Sequence, residues 1–145
     1  MKTRQYLAGD YEEVKALLIK HDQGRTFPSQ KELGGYALVA EHDGKIVAFA
    51  WALVAEDSTI ALVEYFVVEK DCRNMGAGGI IMTHLLINLN KLGKKHIVGI
   101  VKKDTPHADA LARIYHEMGM DTATAWIMTG SAGNILEHLQ KRETA

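Results

Sequence analysis

Apolar positions change their period several times along this chain, and each change marks an element. After Asp10, the residues Val14, Leu17, Leu18 and His21 recur at helical spacing. They predict a helix over Asp10–His21, with Asp10 as N-cap, Glu13 in the capping-box position and Gly24 as its end. Thr3–Leu7 ahead of it reads as a weak strand. Ser29-Gln30-Lys31-Glu32 repeats the capping pattern and predicts a short second helix through Leu33, stopped by Gly34-Gly35. Strands follow. Tyr36–Glu41 and Lys45–Val54 flank Asp43-Gly44, a pair suited to a type I′ hairpin turn because both central residues need φ > 0. Glu56-Asp57-Ser58 is a further turn, and Thr59–Val68 is a long β-branched and aromatic strand.

Polar Glu69–Met75 separates that strand from Gly76–Leu92, a broadly apolar helix closed by Gly93. The continuous apolar run within His96–Val101 predicts a buried, parallel strand. Thr105 as N-cap with Pro106 at the first helical position starts a helix to Met118, which Gly119 closes. Thr122–Met128 reads as a strand, and Asn134 with Glu137 caps a last helix to about Lys141. The order β-α-α-β-β-β-α-β-α-β-α gives a mixed α/β class, its sheet part antiparallel and part parallel. The unit Thr59–Val101 requires a right-handed crossover.

Composition narrows the classes. The chain has 145 residues, 47% hydrophobic and 24% charged, which fits one globular domain over residues 1–145 and excludes disorder. A net charge of −1 gives no footprint for nucleic acid or for a membrane surface. No apolar run approaches a membrane span, and no apolar segment follows the basic start Met1–Gln5 as in a signal peptide. One cysteine, Cys72, excludes an internal disulfide and points to a cytoplasmic setting. Seven histidines are scattered without ligand spacing, so no metal is expected. His84 on the long helix reads as a packed histidine.

The chemistry concentrates in Val68-Glu69-Lys70-Asp71-Cys72-Arg73-Asn74-Met75-Gly76-Ala77-Gly78-Gly79, where a strand ends and a helix begins. Glycines there let backbone N–H groups approach an anion, and the helix N-terminus adds about half a positive charge. A diphosphate suits such a loop; a tight, ligand-free turn is the other reading. The pattern G-x-x-x-x-G-K-[ST] is absent, and G-x-G-x-x-G fails at Ile81.

Arg73, Gly76 and Gly78 do meet R-x-x-G-x-G, and this resembles the acyl-CoA-binding motif of the GNAT superfamily of N-acetyltransferases. Arg4, Asp10, Val14 and Leu17 look like that family's first strand and helix, and Ala112, Tyr115, Gly119 and Met120 like its end-of-helix pattern. The resemblance covers roughly residues 3–128. Three features depart from it. The small residue expected four before the tyrosine is Leu111, with Ala112 one place late. No Asn lies in Thr105–Asp109, and Ser131–Lys141 reads as a helix where the family ends in a strand.

The resemblance implies a GNAT-like sheet with helices on both faces, and acyl transfer from acetyl-CoA to an amine. Backbone N–H groups of Arg73, Asn74, Met75, Gly76, Ala77, Gly78 and Gly79 would hold the pyrophosphate. Pantetheine would pair with Val67 and Val68 like a missing strand, and the Val68 N–H would polarise the thioester carbonyl. Tyr115 would return a proton to the thiolate, its ordinary pKa of about 10 lying near a thiol's. Glu64 interrupts an apolar strand, sharing a face with Leu62, Phe66 and Val68 by alternation. It reads as the base that deprotonates the amine, or as a rim carboxylate. Arg73 contacts phosphate or solvates the helix start. Cys72 lacks a neighbouring base and reads as a packed thiol; His107 reads as a loop histidine, with phosphate contact as its other role. Arg25, Phe27 and Gln30 would wall the acceptor site, or belong to a plain surface connection. Ile135, Leu136 and Leu139 read as a face that packs the last helix on the sheet or, as the other reading, on a partner. The overall reading is a cytoplasmic acetyl-CoA-dependent N-acyltransferase with a small-molecule or protein amine as acceptor. Its rivals are a non-catalytic CoA-binding module and an interaction protein that keeps the fold. Formation of a homodimer is left open.

Overall fold

The computed structural model describes residues 1–101, 103, 106, 108–122 and 131–143. The chain divides into two compact units, Met1–Thr105 and Pro106–Ala145. The first holds a five-stranded sheet in the order β1-β2-β3-β4-β5. The strands are β1 (Lys2–Gln5), β2 (Tyr36–His42), β3 (Lys45–Val54), β4 (Ile60–Val68) and β5 (His96–Gly99). The first four pair antiparallel, and β4 pairs with β5 in parallel, Ile60 opposite His96 and Val63 opposite Gly99. This is the mixed sheet expected from the pattern. Asp43 and Gly44 take φ of 51° and 73°, as the hairpin requires. The strand expected over Thr122–Met128 lies almost wholly outside the described residues, as do Thr105 and His107.

Helix α1 (Tyr11–Lys20) lays Val14, Leu17 and Leu18 against Val39, Phe49, Trp51, Tyr65 and Val67. Each such aliphatic side chain contributes about 1.5–3 kcal/mol by leaving water. Helix α2 (Ala77–Lys91) buries Ala77, Ile81, Met82, Leu85 and Leu89 and packs on β2, β3 and β4. Leu38, Ala40, Ala48 and Ala50 alternate with the residues that face α1, so this side of the sheet is rich in alanine and admits the helix closely. His84 is exposed on α2, not packed.

The entry to α1 differs from the capping box expected. Asp10 has helical φ and ψ and caps nothing there. Its carboxylate instead accepts from Arg4 Nη1 at 2.7 Å, Arg4 Nη2 at 2.9 Å and the Leu7 N–H at 2.8 Å, while Glu13 accepts from the Ile46 N–H. The Arg4 guanidinium holds the Asp10 carboxyl below its usual range. Asp10→Asn should therefore cost about 1–3 kcal/mol at pH 7, read by urea unfolding. Because the folded value is the lower one, this stability is present above pH ~4 and is lost as pH falls through the folded value; the Asn variant should lack that limb. Equal midpoints for both proteins at pH 7 would remove the role.

Ser29–Leu33 forms bends, not a helix; only Gly24–Thr26 makes a single 3-10 turn. The carbonyls a helix would use are taken by core aromatics. The Tyr11 hydroxyl donates to Pro28 O, the Tyr6 hydroxyl to Lys31 O and Trp51 Nε1 to Gly34 O. Phe27 packs edge-on to Phe49, Trp51 and Tyr65 and stacks on Tyr11. Of the residues read as an acceptor wall, Phe27 is thus tied into the core, while Arg25 and Gln30 are exposed.

β5 alternates between exposed and half-buried positions and stops at Gly99, so it is not the buried strand to Val101 that its apolar run suggests. It is one of the two edge strands among the described residues, β1 being the other, with one side of its ladder open. In the second unit, α3 (Ala108–Glu117) buries Ala108 and Tyr115. Helix α4 (Ala132–Glu143) starts earlier than Asn134 suggests, because Ser131 Oγ accepts from the Asn134 N–H and so caps it. None of its residues is buried, Ile135, Leu136 and Leu139 included.

Candidate active site

The site is built where β4 ends. Glu69, its next residue, donates its N–H to Val47 O at 2.7 Å. Hydrogen-bonded and non-bonded pairs alternate along an antiparallel ladder. With Glu69 bonded to Val47, Val68 opposite Ala48 turns its N–H and C=O away from β3. By the same alternation, Val67 opposite Phe49 turns its own toward β3. Val68 thus presents its backbone to the side where β5 lies, but β5 has already stopped opposite Val63. From Glu64 to Val68 that edge of β4 has no strand partner among the described residues.

Glu64 sits at the point of divergence. Trp51 pairs with Tyr65 and Ala52 with Val63, so Glu64 is the extra residue of a β-bulge. Ala50 and Ala52 are two apart on β3, yet their partners Phe66 and Val63 are three apart on β4. Leu62 therefore faces the side opposite Phe66 and Val68, and the four-residue face read from simple alternation does not exist. Glu64 itself is exposed.

A six-residue 3-10 segment, Lys70–Met75, joins β4 to α2. It buries Cys72 and exposes Arg73, Asn74 and Met75. The Arg73 Nε donates to Val68 O at 3.2 Å, which uses one of the five N–H donors of a guanidinium. Gly76 adopts φ +77°, a left-handed conformation that a side chain would strain, and caps α2. The first helical bond of α2 is Ile80 N–H to Gly76 O, at 3.0 Å. The N–H groups of Ala77, Gly78 and Gly79 precede it, and no side chain among the described residues caps them. Three free donors, the positive end of a 15-residue helix and a nearby arginine form a setting for an anion.

The glycines have separate reasons. A Cβ on Gly78 would meet Phe66 Cζ at 3.3 Å and Val68 Cγ2 at 3.4 Å, so this glycine serves close packing of α2 on β4. A Cβ on Gly79 would meet nothing within 4 Å. Contact with β4, invisible in the sequence, is thus a second reason for the missing side chain of Gly78 beside the anion access that the motif suggests.

Tyr115 lies on α3 in the second unit, buried, and burial pushes its phenol up to about 12. At the root of the loop the Lys20 ammonium, 2.8 Å from Glu69 Oε1, holds the Glu69 carboxyl below its usual range. Sequence reading passed over Glu69, because its partners Val47, Lys20 and His21 are remote in the chain.

No described helix is long and apolar enough to cross a membrane. The model of the acetyltransferase (GNAT) family matches residues 4–120. No curated protein matches the sequence. Among solved structures, the chain is similar to a ribosomal-protein-alanine N-acetyltransferase of Brucella melitensis (17% identity, TM-score 0.70, covering 90% of this chain and 100% of that one). It is similar to an acetyltransferase of Trypanosoma brucei (15%, 0.69, 90% and 99%). It is also similar to the aminoglycoside N-acetyltransferase AAC(6')-Iy in complex with CoA (14%, 0.70, 90% and 98%). At these identities the likeness is one of fold.

Proposed function

This chain belongs to the acetyltransferase (GNAT) family, and from that premise we propose that it moves an acetyl group from acetyl-CoA to a primary amine by direct attack in a ternary complex. One observation carries the reading: the edge of β4 from Glu64 to Val68, which has no strand partner among the described residues, leads to the N–H groups of Ala77, Gly78 and Gly79 that open α2. A pantetheine arm laid along that edge would bring a diphosphate to those donors. CoA bound to the aminoglycoside enzyme of the same fold supports it as the donor molecule.

The roles follow from the chemistry. Backbone N–H groups over Arg73–Gly79 bind the diphosphate, with Arg73 beside them. The pantetheine amides pair along the β4 edge at Val68 and not at Val67, whose own N–H and C=O turn toward β3. The Val68 N–H stabilises the oxyanion of the tetrahedral intermediate. Glu64, exposed at the bulge, takes a proton from the acceptor ammonium directly or through water, and the neutral amine attacks the thioester carbon. The intermediate collapses with loss of the CoA thiolate, which Tyr115 protonates. The family match runs through residues 4–120, past the boundary at Thr105, which supports one acyltransferase domain over 1–145. The lone cysteine supports a cytoplasmic setting.

The test is thiol release from acetyl-CoA against a panel of amines that includes peptides, polyamines and aminoglycosides. Glu64→Gln should lower turnover about 10²-fold near pH 7 and spare acetyl-CoA binding. Its deficit should shrink as pH rises, because the amine is then already neutral. A deficit independent of pH, or none, removes Glu64 as the base. A second reading, a CoA-binding module without turnover, is favoured by the missing Asn in 105–109. Tight CoA binding with no acylation of any amine in the panel would support it.

A further inference from the structure

The loop that opens α2 is held at its root by one side chain. Glu69 Oε1 lies 2.8 Å from Lys20 Nζ and 3.4 Å from His21 Nε2, both at the C-terminal end of α1. The same oxygen accepts the Lys70 N–H at 3.0 Å. The Glu69 N–H is fixed to Val47 O on β3, and Glu69 O accepts the Cys72 N–H at 2.9 Å. One residue thus joins α1, β3 and the 3-10 segment. His21 is buried, its Nε2 finds no hydrogen-bond partner among the described residues, and the Glu69 carboxylate faces it at 3.4 Å.

We propose that Glu69 is a positioning residue for acyl-CoA, tying the start of the loop to α1 so that the open backbone of Val68 and the free N–H groups of α2 stay in register. The inference rests on the acyl-CoA reading of the site. A ligand that lies along β4 and also reaches α2 binds at both ends of residues 69–76. If that segment is already fixed, binding does not have to order it. A carboxylate so near an anion site would repel the ligand on its own. The Lys20 ammonium offsets that charge and makes the anchor compatible with a diphosphate.

The test compares CoA with S-acetylpantetheine, which lacks the nucleotide and its diphosphate. Glu69→Ala should raise the Kd for CoA about tenfold or more, in the range for losing charge-assisted hydrogen bonds. Turnover of S-acetylpantetheine and the KM for the amine should stay within about twofold, since that ligand spans only one end. Glu69→Gln keeps an acceptor oxygen and should restore most of the CoA affinity. Lys20→Met should cost only about two- to threefold, because this ion pair is exposed. In ligand-free protein, hydrogen exchange over residues 69–79 should quicken in Glu69→Ala and not in the core of β3, which also covers the case of a poorly folded variant. Wild-type protein that binds no CoA overturns the acyl-CoA reading and this inference with it. Wild-type binding with unchanged affinity in Glu69→Ala, or equal losses for CoA and S-acetylpantetheine, overturns this inference alone.

Discussion

Gly79→Glu should stabilise the protein and nearly abolish its binding of CoA. Position 79 is in the first turn of α2, and a Cβ there meets nothing within 4 Å. Replacing a helical glycine gains about 0.5–1 kcal/mol, and a negative charge in the first turn gains about 0.3–1 kcal/mol from the helix dipole. The same carboxylate would stand beside the donors proposed to hold the diphosphate. Like charges about 4 Å apart repel by about 4 kcal/mol near a protein surface, less when water screens them. A net loss of about 2–3 kcal/mol, or about 100-fold in affinity, is expected. Thermal melts and calorimetry read the two effects separately, and their opposite signs exclude misfolding as the cause. A more stable variant that binds CoA as the wild type does would remove the loop as the cofactor site. Gly78 is the poorer probe, because any side chain there disturbs Phe66 and Val68 before it meets a ligand.

Tyr115→Phe should lower kcat about 10²-fold and leave the KM for acetyl-CoA within a few-fold, as expected for loss of an acid that acts in the transition state. Burial pushes the phenol up to about 12, further from a thiol's value than its ordinary pKa, so it keeps its proton through the working range and gives it to the thiolate uphill. The pH–rate profile of the wild type should therefore rise as the amine loses its proton and show no alkaline fall from this group below about pH 12. The same shift sets a stability test. The unfolded phenol ionises near pH 10, so stability is intact below that value and declines as pH rises from there toward the folded value. The Phe variant should lack that decline. Native kcat in Tyr115→Phe would remove the acid role and leave a buried tyrosine.

How much of this was legible without the structure depends on the range of the forces at each position. The β2–β3 hairpin was readable because Asp43 and Gly44 accept positive φ by themselves, whatever surrounds them. The start of α2 was readable for a similar reason. Gly76 admits the left-handed cap, and the run from Ile81 to Leu89 repeats at helical period. The loop motif and the order of elements around it were enough to suggest the family.

Other features were decided between segments far apart in the chain. Ser29–Leu33 has the local pattern of a helix start, but Tyr6, just past β1, takes its Lys31 carbonyl, and Tyr11 of α1 and Trp51 of β3 take the flanking carbonyls of Pro28 and Gly34. Asp10 looks like a cap, but Arg4 and Leu7 hold its carboxylate. Glu64 looks like one step in an alternation, but the pairing of β4 with β3 makes it a bulge and reverses the face of every residue before it. Gly78 looks like anion access alone, but Phe66 and Val68 beneath it give its missing side chain a packing reason as well. The open edge of β4 depends on where β5 stops, and the anchor at Glu69 on where α1 ends. The sequence by itself determined the backbone states of single residues and the periods of single elements, because local sterics and burial dictate those. Register, partner choice and the free donors of the site came from tertiary structure, because each depends on which remote group reaches a backbone atom first.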